Sequence, residues 1–580
     1  MTKLKVIFVF LINLVFYSTL ISQIDYISPK PGSLYNNPKT NIIIKFRESL
    51  KGDVDLKDLL KITGKDYKSY DYEYKLKGKT LLIYPKESFQ LSDEINVIIN
   101  SELKLENEFV INPFKFSFKI SKALVLKDYS EEYVSSSYKN INTDIPDAFP
   151  SMRIIINEAP AQGKIFFYNV SELASDNNRF ITILDNDGIP DYYRQENNIG
   201  LNFTLQPSGY MSFWNEGNFA IMDSTYTIIK TIGCGNGYIA DWHDFIHLPN
   251  GHSVLFSYDT QFIDMSVIVE GGYDNALVEG LVIQELDEGG NVVFQWRSWD
   301  YFNILDAIDV DFTFKFFSCV HGNFIELDSD GNLLLSSRML HEVTKIDMTT
   351  GEIIWRMGGN NNEFDFINDP GMFCRQHDVR RINNGNITLF DNGTCHPPSS
   401  AKEYKLDEIN KTAELVWKYT KNTFSPVMGN AQRLENGNTF INWGQLENQS
   451  DASITEVDSD NNIVFEIYFD DFNIIYRSHR YKWGDDSYTS ITDNLADNKY
   501  CNIFPNPTKD IIHIQLSDNQ SKVSSISIYD INGRLIKNFD YEIENKELLS
   551  LNVNDLNEGL YFLKIQTDKQ IITEQIVISK

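Results

Sequence analysis

Histidines open three similar segments that lie far apart along the chain. The segments read HDFIHLPNGHSVLFSY from His243, HGNFIELDSDGNLLLSSR from His321 and HDVRRINNGNITLFDN from His377. Each continues with apolar residues, a Gly-containing turn and a second apolar run, which is the pattern of a β-hairpin. A fourth segment, GNAQRLENGNTFINWG, starts with Gly429 instead. Three imidazoles placed by the same structural unit could act as metal ligands, proton donors or nucleophiles.

The second strand of each hairpin adds one aligned polar position. It carries Tyr258, Arg338 and Asn392 in the histidine hairpins, and Trp443 followed by Gly444 in the fourth. Three histidines alone would suggest zinc or copper. Arg338 argues against a metal, because a fixed guanidinium repels a cation, and it favours a tetrahedral oxyanion bound through paired hydrogen bonds. We therefore expect an anion site without metal; the alternative is that the histidines only cap backbone carbonyls.

A repeat explains how distant hairpins could meet. An aspartate at a strand end, a turn and a following strand with an aromatic residue recur six times, centred on Asp185, Asp223, Asp287, Asp347, Asp407 and Asp458. This pattern predicts six four-stranded blades of a β-propeller. Equivalent blade positions face the central channel, so His243, His321 and His377 should converge there. A solenoid is the competing repeat fold, but the irregular spacing and long insertions favour a propeller.

Composition limits the class of protein. The 580 residues carry a net charge of −29, which argues against nucleic acid and anionic membranes as partners. A content of 42% hydrophobic and 13% aromatic residues supports several packed cores. Alternating short strands in residues 23–122 predict an immunoglobulin-like β-sandwich, followed by the propeller over residues 123–484. The whole chain is therefore predicted to be all-β.

The two ends of the chain indicate export. Residues 1–22 have Lys3 and Lys5 ahead of an apolar run and predict a signal peptide, with an uncleaved anchor as the alternative. No later stretch is apolar enough for a membrane span, so none is expected in the mature protein. A polar linker over residues 485–499 precedes a second small β-sandwich, residues 500–580.

The histidine hairpins resemble those of the bacterial arylsulfate sulfotransferases. The similarity lies in WHDFIHLPNG, WRMGG and QHDVRRINNGNITLFDNG, set in six repeats behind an N-terminal sandwich. It implies transfer of a sulfuryl group between phenols without a nucleotide sulfate donor or other cofactor. It also implies that His377 is the nucleophile, that His243, His321 and Arg338 bind sulfuryl oxygens, and that His321 exchanges protons with the phenols. Tyr258 and Asn392 are expected to bind substrate.

The C-terminal module resembles the sorting domain of the type IX secretion system. FPNPTKD, YDINGRL and LNEGLYFLKI carry this similarity. It implies passage through the periplasm, contact with the secretion machinery, and release or attachment at the cell surface. A generic carbohydrate-binding sandwich is the alternative.

The sequence thus predicts a secreted arylsulfate sulfotransferase acting on a phenolic sulfate donor and a phenolic acceptor. Two alternatives remain: a propeller that only binds ligands, and a metal-dependent propeller hydrolase or lyase. Two minor features accompany this prediction. DNDGIPDYYRQE (185–196) resembles a calcium loop but reads better as a turn, because Gly188 is misplaced for an EF-hand. Cys374 and Cys395 flank the third histidine hairpin and could form a disulfide.

Overall fold

The computed structural model describes most of the chain between residues 23 and 578. The described ranges are 23–52, 56–57, 59–125, 145–171, 179–196, 202–470, 473–483, 501–504, 508–509, 511–516, 523–530, 535–543, 549–557, 559–567 and 571–578. The predicted signal peptide and linker lie outside these ranges. The chain divides into two compact units, residues 1–483 and 484–580.

The fold is all-β. The described residues contain no α-helix, and their helical segments are single 3₁₀ turns at Lys65–Tyr67, Met265–Val267, Ser298–Asp300 and Ile304–Asp306. Short runs of β-branched and aromatic residues bounded by Gly, Asn and Asp turns explain this preference for strands.

Nine strands form the N-terminal part of the first unit. They are β1 (Ile24–Ser28), β2 (Ile42–Phe46), β3 (Leu60–Thr63), β4 (Tyr72–Lys77), β5 (Thr80–Pro85), β6 (Glu94–Ile99), β7 (Leu103–Lys104), β8 (Val110–Ile111) and β9 (Phe114–Lys119). A four-stranded sheet, β1-β2-β5-β4, and a three-stranded sheet, β3-β6-β9, share one apolar core, while β7 pairs with β8. The alternating burial of β6 and β9 reflects this two-sheet packing.

Twenty-seven strands follow within the described part of the first unit. Their bounds are β10 (Met152–Asn157), β11 (Lys164–Ser171), β12 (Phe180–Leu184), β13 (Pro190–Gln195), β14 (Thr204–Leu205), β15 (Met211–Asn215), β16 (Asn218–Met222), β17 (Ile228–Ile232), β18 (Phe245–His247), β19 (Ser253–Ile263), β20 (Ala276–Leu286), β21 (Val292–Arg297), β22 (Phe316–Ser318), β23 (Gly322–Leu327), β24 (Leu333–Ser337), β25 (Glu342–Ile346), β26 (Ile353–Gly358), β27 (Asp365–Ile367), β28 (His377–Arg381), β29 (Ile387–Asp391), β30 (Ser400–Asp407), β31 (Thr412–Tyr419), β32 (Asn430–Arg433), β33 (Thr439–Asn442), β34 (Ile454–Val457), β35 (Ile463–Phe469) and β36 (Asn473–Tyr481).

These strands form six antiparallel sheets among the described residues. Sheet I is β36-β11-β12-β13, sheet II β14 to β17, sheet III β18 to β21, sheet IV β23 to β26, sheet V β28 to β31, and sheet VI β32 to β35. Three further strands extend these sheets, with β10 on sheet VI, β22 on sheet III and β27 on sheet V. Strand β36, from the end of the β10–β36 region, pairs with β11 near its start, and β10 pairs with β35 near its end. These two pairings hold the two ends of this region together.

The first strands of the sheets contact one another in series. Strand β36 contacts β14 and β32, β28 contacts β32 and β23, and β23 contacts β18. Apolar residues between neighbouring sheets form the cores, for example around Trp355 between sheets IV and V. The histidine hairpins therefore begin on adjacent edges.

The repeat aspartates have a common structural role. The side chain of each accepts backbone N–H groups of the next few residues and closes the turn between two strands, at Asp185, Asp223, Asp287, Asp347, Asp407 and Asp458. The carboxylate of Asp185 is occupied in this way by the amides of Asp187 and Ile189. The 185–196 segment is accordingly built as a turn followed by a strand.

The N-terminal sheets dock on sheet III. The Tyr26 hydroxyl donates to the Gln295 carbonyl at 2.5 Å and accepts the Gln295 amide at 2.9 Å. The guanidinium of Arg297 donates to the carbonyls of Leu34 and Tyr35, both at 2.8 Å. These buried polar contacts fix the sandwich against the sheet that carries His243 and Tyr258.

The second unit is a small sandwich of its own. Its strands are β37 (Cys501–Phe504), β38 (Ile511–Leu516), β39 (Val523–Asp530), β40 (Leu535–Ile543), β41 (Leu549–Asn552), β42 (Gly559–Thr567) and β43 (Ile571–Ile578). They form the sheets β37-β38-β41 and β40-β39-β42-β43, which enclose a separate apolar core. This unit can bury its own hydrophobic face without the first.

Candidate functional site

The three histidines lie at the starts of inner strands, but not all in the same register. His377 is the first residue of β28, and His243 lies two residues before the first residue of β18. The position of each histidine can be counted from the residue that opens its hairpin turn. His243 lies five positions before Leu248, and His377 lies five positions before Ile382. His321, in contrast, lies seven positions before Asp328. The prediction of one shared position therefore holds for two histidines. His321 occupies the connection before β23, where a left-handed backbone (φ 50°) turns the chain.

His243 and His321 nevertheless meet. Their ring centroids are 5.0 Å apart in an edge-to-face arrangement, and the Tyr258 ring stacks on His321 at 5.8 Å. The Tyr258 hydroxyl donates to the Gly322 carbonyl at 2.8 Å. The Asp241 carboxylate accepts a hydrogen bond from Nδ1 of His243. Because a carboxylate can only accept, this bond leaves Nε2 of His243 to face other groups.

Asn392 determines which nitrogen of His377 carries the proton. The two amide hydrogens of Asn392 donate to the carbonyls of Ser425 and Met428, both at 2.9 Å. Its oxygen is therefore the atom that lies 2.7 Å from Nδ1 of His377, and Nδ1 must donate. The lone pair of a neutral His377 consequently resides on Nε2. Asn392 is fully buried and makes these three contacts with the protein, and the predicted contact with substrate stays a prediction.

The surroundings of His377 keep its ring neutral. Burial, the positive charge of Arg338 and the neighbouring His243 lower the pKa of His377 to about 3, and the hydrogen bond to Asn392 opposes this shift only in part. The side chain is 3% exposed. A neutral imidazole with its lone pair on Nε2 is the form that a nucleophile or base requires.

Arg338 supplies a cation next to this neutral histidine. It follows β24, and its amide donates to the His321 carbonyl at 2.9 Å, which ties it to the second histidine. Burial and the nearby Arg375 lower the pKa of Arg338 to about 10, so the group stays protonated at neutral pH. Its buried Nε has no hydrogen-bond partner among the described residues. An unpaired donor of this kind is suited to an anionic ligand.

Arg477 of β36 contacts all three histidine hairpins. One of its terminal nitrogens donates to Asp244 at 3.0 Å, the other to the Asn323 carbonyl at 3.1 Å, and Nε lies 3.8 Å from Asp378. Asp244 and Asp378 directly follow His243 and His377. The adjacent Tyr476 hydroxyl adds contacts to the carbonyls of His243 and Asn323. Sequence analysis missed Arg477, because β36 lies outside the hairpin motif; the shared HD pair was the available signal.

A second group of cationic and neutral donors lies beside Arg338. Arg375 comes two residues before His377, and its carbonyl is 3.1 Å from Nδ1 of that histidine. His341 follows Arg338 closely and donates its amide to the Arg338 carbonyl at 3.3 Å. Both side chains approach Oδ2 of Asp309, at 3.7 and 3.6 Å, beyond hydrogen-bond distance. Neither residue repeats among the hairpins, so the repeat gave no signal for them.

A disulfide closes the chain around the His377 hairpin. Cys374 and Cys395 are bonded, and their Cα atoms lie 6.3 Å apart. The sequence left open whether these cysteines are bonded or are isolated buried thiols, and the structure contains the bond. The bond links the residues before β28 and after β29, so it holds the segment that contains Arg375 to the end of the hairpin.

In the part of the chain that the structure describes, His243, His321 and His377 do not belong to a group of three potential ligands close enough for one ion. Among the described residues, the one group of three potential ligands whose donor atoms lie close enough for an ion is Cys374, Cys395 and His396. Two of its members are sulfurs of the disulfide and offer no thiolate. His243, His321 and His377 lie apart from any such group, and the charge of Arg338 acts on the same space.

The chain belongs to the arylsulfotransferase (ASST) family, whose model matches residues 154–477 and thus more than half of the sequence. A secretion system C-terminal sorting domain matches residues 502–579, which is the second compact unit. The family suggests a sulfotransferase, and the sorting domain indicates export to the cell surface or the surroundings. Within the described residues, no helix is both long and apolar enough to span a membrane.

Several solved structures share a distant likeness. A protein of unknown function from Bacteroides caccae is 14% identical, with a TM-score of 0.35, over 55% of this chain and 98% of its own. A catalytically inactive virginiamycin B lyase from Staphylococcus aureus with quinupristin is 11% identical, with a TM-score of 0.31, over 56% and 98%. A quinonprotein alcohol dehydrogenase-like protein from Bacteroides thetaiotaomicron is 11% identical, with a TM-score of 0.28, over 78% and 97%. No curated protein matches the chain.

Proposed function

We propose that the protein is a secreted arylsulfate sulfotransferase that carries a sulfuryl group on His377. Sheets I to VI are the six blades of a propeller, the nine preceding strands form an immunoglobulin-like sandwich, and His377 faces the central channel. The donor is a phenolic sulfate ester and the acceptor is a second phenol. No cofactor takes part.

The neutral Nε2 of His377 attacks the sulfur of the donor. The new N–S bond forms as the S–O bond to the phenol breaks, and the electron pair of that bond leaves on the phenolate oxygen. Arg338 donates hydrogen bonds to the sulfuryl oxygens, which carry the charge of the transition state. Nδ1 of His243 already donates to Asp241, so His243 donates to a sulfuryl oxygen through Nε2 when its ring carries a second proton. His321 supplies the proton to the phenolate, and it later takes the proton of the acceptor phenol, whose oxygen attacks sulfur and frees His377.

The hydrogen bond between Nδ1 of His377 and Asn392 is the observation that most supports this proposal. It commits the proton to Nδ1, and burial keeps the ring neutral. A histidine that only bound an anion would gain from being protonated, so its surroundings would be expected to stabilise the imidazolium. The adjacent unpaired Arg338 then supplies the charge for the anion.

The proposal extends to the route of export. Residues 1–22 act as a signal peptide that is removed in the periplasm. The type IX secretion machinery then recognises the C-terminal unit, and the exported form lacks about the last 80 residues, counted from the 500–580 module. Mass spectrometry of the natural secreted protein would contradict this route if the C-terminus were intact.

A p-nitrophenyl sulfate assay, with and without a phenolic acceptor, tests the activity. The wild type should release p-nitrophenol, and added phenol should raise turnover if breakdown of the sulfated enzyme limits the rate. Arg338→Lys should lower the rate by about 10²–10³-fold, because a point charge replaces a paired donor. His321→Ala should suffer more with poor leaving groups than with p-nitrophenolate. A protein that binds aryl sulfates without turnover would instead be a ligand-binding propeller, and activity abolished by chelation would indicate a metal-dependent enzyme.

A further inference from the structure

Arg375 and His341 add a positive charge and hydrogen-bonding groups beyond those that one sulfate ester needs. An aryl sulfate carries a single negative charge, and Arg338 matches that charge. His377 is neutral, so it contributes none. Arg375 is a second guanidinium close enough to lower the pKa of Arg338, and its side chain is 22% exposed.

The hydrogen-bonding groups of this pair are left open by the protein. Nε of Arg375 and Nε2 of His341 are buried and lack hydrogen-bond partners within the described part of the chain. The carboxylate of Asp309 is 53% exposed and lies 3.7 Å from a terminal nitrogen of Arg375 and 3.6 Å from Nε2 of His341, beyond hydrogen-bond distance. Buried donors without partners are costly in a protein unless a ligand satisfies them.

The backbone holds both side chains in place. His341 and Arg375 have left-handed φ values of 51° and 52°, a conformation that costs free energy in residues other than glycine. The disulfide fixes Cys374 directly before Arg375, and Asp309 comes from the 299–318 insertion that precedes sheet IV. Three separate segments thus converge on one small region beside Arg338.

We propose that Arg375 and His341 form a second anion subsite, which selects aryl sulfates and phenols that carry a further anionic substituent on the ring, such as a carboxylate. This inference rests on the proposed function in that the sulfuryl group itself binds at Arg338 and His377. The substituent binds through the guanidinium of Arg375 and a hydrogen bond from His341. When the subsite is empty, the carboxylate of Asp309 balances the positive charge of Arg375.

Binding of sulfonates tests the subsite without any turnover. A sulfonate has its sulfur bonded to carbon and cannot transfer the group, so benzenesulfonate, 3-sulfobenzoate and 4-sulfobenzoate report affinity alone. By titration calorimetry, at least one sulfobenzoate should bind the wild type about tenfold more tightly than benzenesulfonate, as a charge-assisted hydrogen bond provides. Arg375→Gln should remove this preference. Arg153→Gln, which removes an exposed arginine paired with Asp470, should retain it.

Two outcomes would overturn the subsite. Equal affinity of the wild type for all three sulfonates would contradict it without any variant. An equal loss of affinity for all three in Arg375→Gln would show that Arg375 binds the same sulfonate as Arg338. Rates with phenyl sulfate and carboxyphenyl sulfates then separate the two proposals: a binding preference without sulfuryl transfer would refute only the proposed function, and transfer without a preference would refute only the subsite.

Discussion

Replacing Asn392 by leucine should impair formation of the sulfated enzyme far more than it impairs folding. Leucine has a similar size but removes three hydrogen bonds, one from His377 and two to the carbonyls of Ser425 and Met428. At about 1 kcal/mol each, the loss of stability is about 3 kcal/mol. Without the Asn392 oxygen, Nδ1 keeps only the longer contact to the Arg375 carbonyl at 3.1 Å, so the ring can turn and the proton can move to Nε2, which abolishes the nucleophilic lone pair. A misplacement of about 1 Å alone costs about 10² in rate.

Asn442→Leu is a matched control for this variant. Asn442 is also fully buried and also donates to two carbonyls, of Ile475 and Tyr476, but among the described residues it has no hydrogen bond to His243, His321 or His377. Its replacement should cost comparable stability in thermal unfolding. It should leave the rate of the first p-nitrophenol release close to that of the wild type.

A rapid-mixing assay of p-nitrophenol release gives the required readout. Asn392→Leu should slow the first turnover by about 10²-fold, while the affinity for benzenesulfonate stays within a few-fold of the wild type, because the anion contacts of Arg338 remain. A first-turnover rate in Asn392→Leu no lower than that in Asn442→Leu would refute the assignment of Asn392 as the residue that orients His377.

Three further predictions concern the framework of the site. Arg477→Met should lower kcat by about 10²-fold with a smaller change in KM, and it should cost about 3–5 kcal/mol of stability. Arg477→Lys should recover part of both losses. An unchanged kcat in folded Arg477→Met would contradict the connecting role of Arg477. Burial lowers the pKa of His479 to about 4, so below about pH 6.5 the unfolded chain binds a proton at this residue more readily than the folded chain does. Stability should therefore fall as the pH drops towards 4. Thermal unfolding of His479→Gln should show a smaller fall, and an equal fall would contradict the contribution of His479. Replacing both Cys374 and Cys395 by serine removes a disulfide between residues 21 positions apart, which should reduce the unfolding free energy by about 3 kcal/mol in denaturant titrations. An unchanged unfolding midpoint would contradict a stabilising role of the disulfide.

Local patterns in the sequence predicted the elements well. The recurring aspartates identified the turns because each side chain closes its own turn through backbone amides a few residues away, a contact that the sequence spells out directly. The hairpins beginning near His243 and His377 followed from apolar alternation and Asn-Gly turns. Cysteines on either side of the third hairpin predicted the disulfide, since the two ends of a hairpin lie close together.

Contacts across sheets were not predictable in the same way. His321 lies seven positions before its hairpin turn and the other two histidines lie five before theirs, a difference in spacing that aligning the segments on their histidines overlooked. Asn392 was predicted to bind substrate because its position aligns with Arg338. Its hydrogen bonds to Ser425 and Met428, on the connection to the next sheet, had no signal in the sequence. Arg477 contacts the hairpins from β36, and a single sequence does not encode such a long-range contact in any spacing. Arg375 and His341 lie within three residues of His377 and Arg338, but they do not recur in the other hairpins, so the repeat did not identify them.

Mapping the sulfuryl group after reaction with p-nitrophenyl sulfate tests the central claim most directly. Without acceptor, the wild type should release one equivalent of p-nitrophenol rapidly, and mass spectrometry after quenching at alkaline pH should find one added sulfuryl group on the peptide that contains His377. A phenolic acceptor should remove that group, and His377→Ala should neither gain it nor release phenol. A sulfuryl group on another residue, or phenol release by His377→Ala at the wild-type rate, would contradict the account.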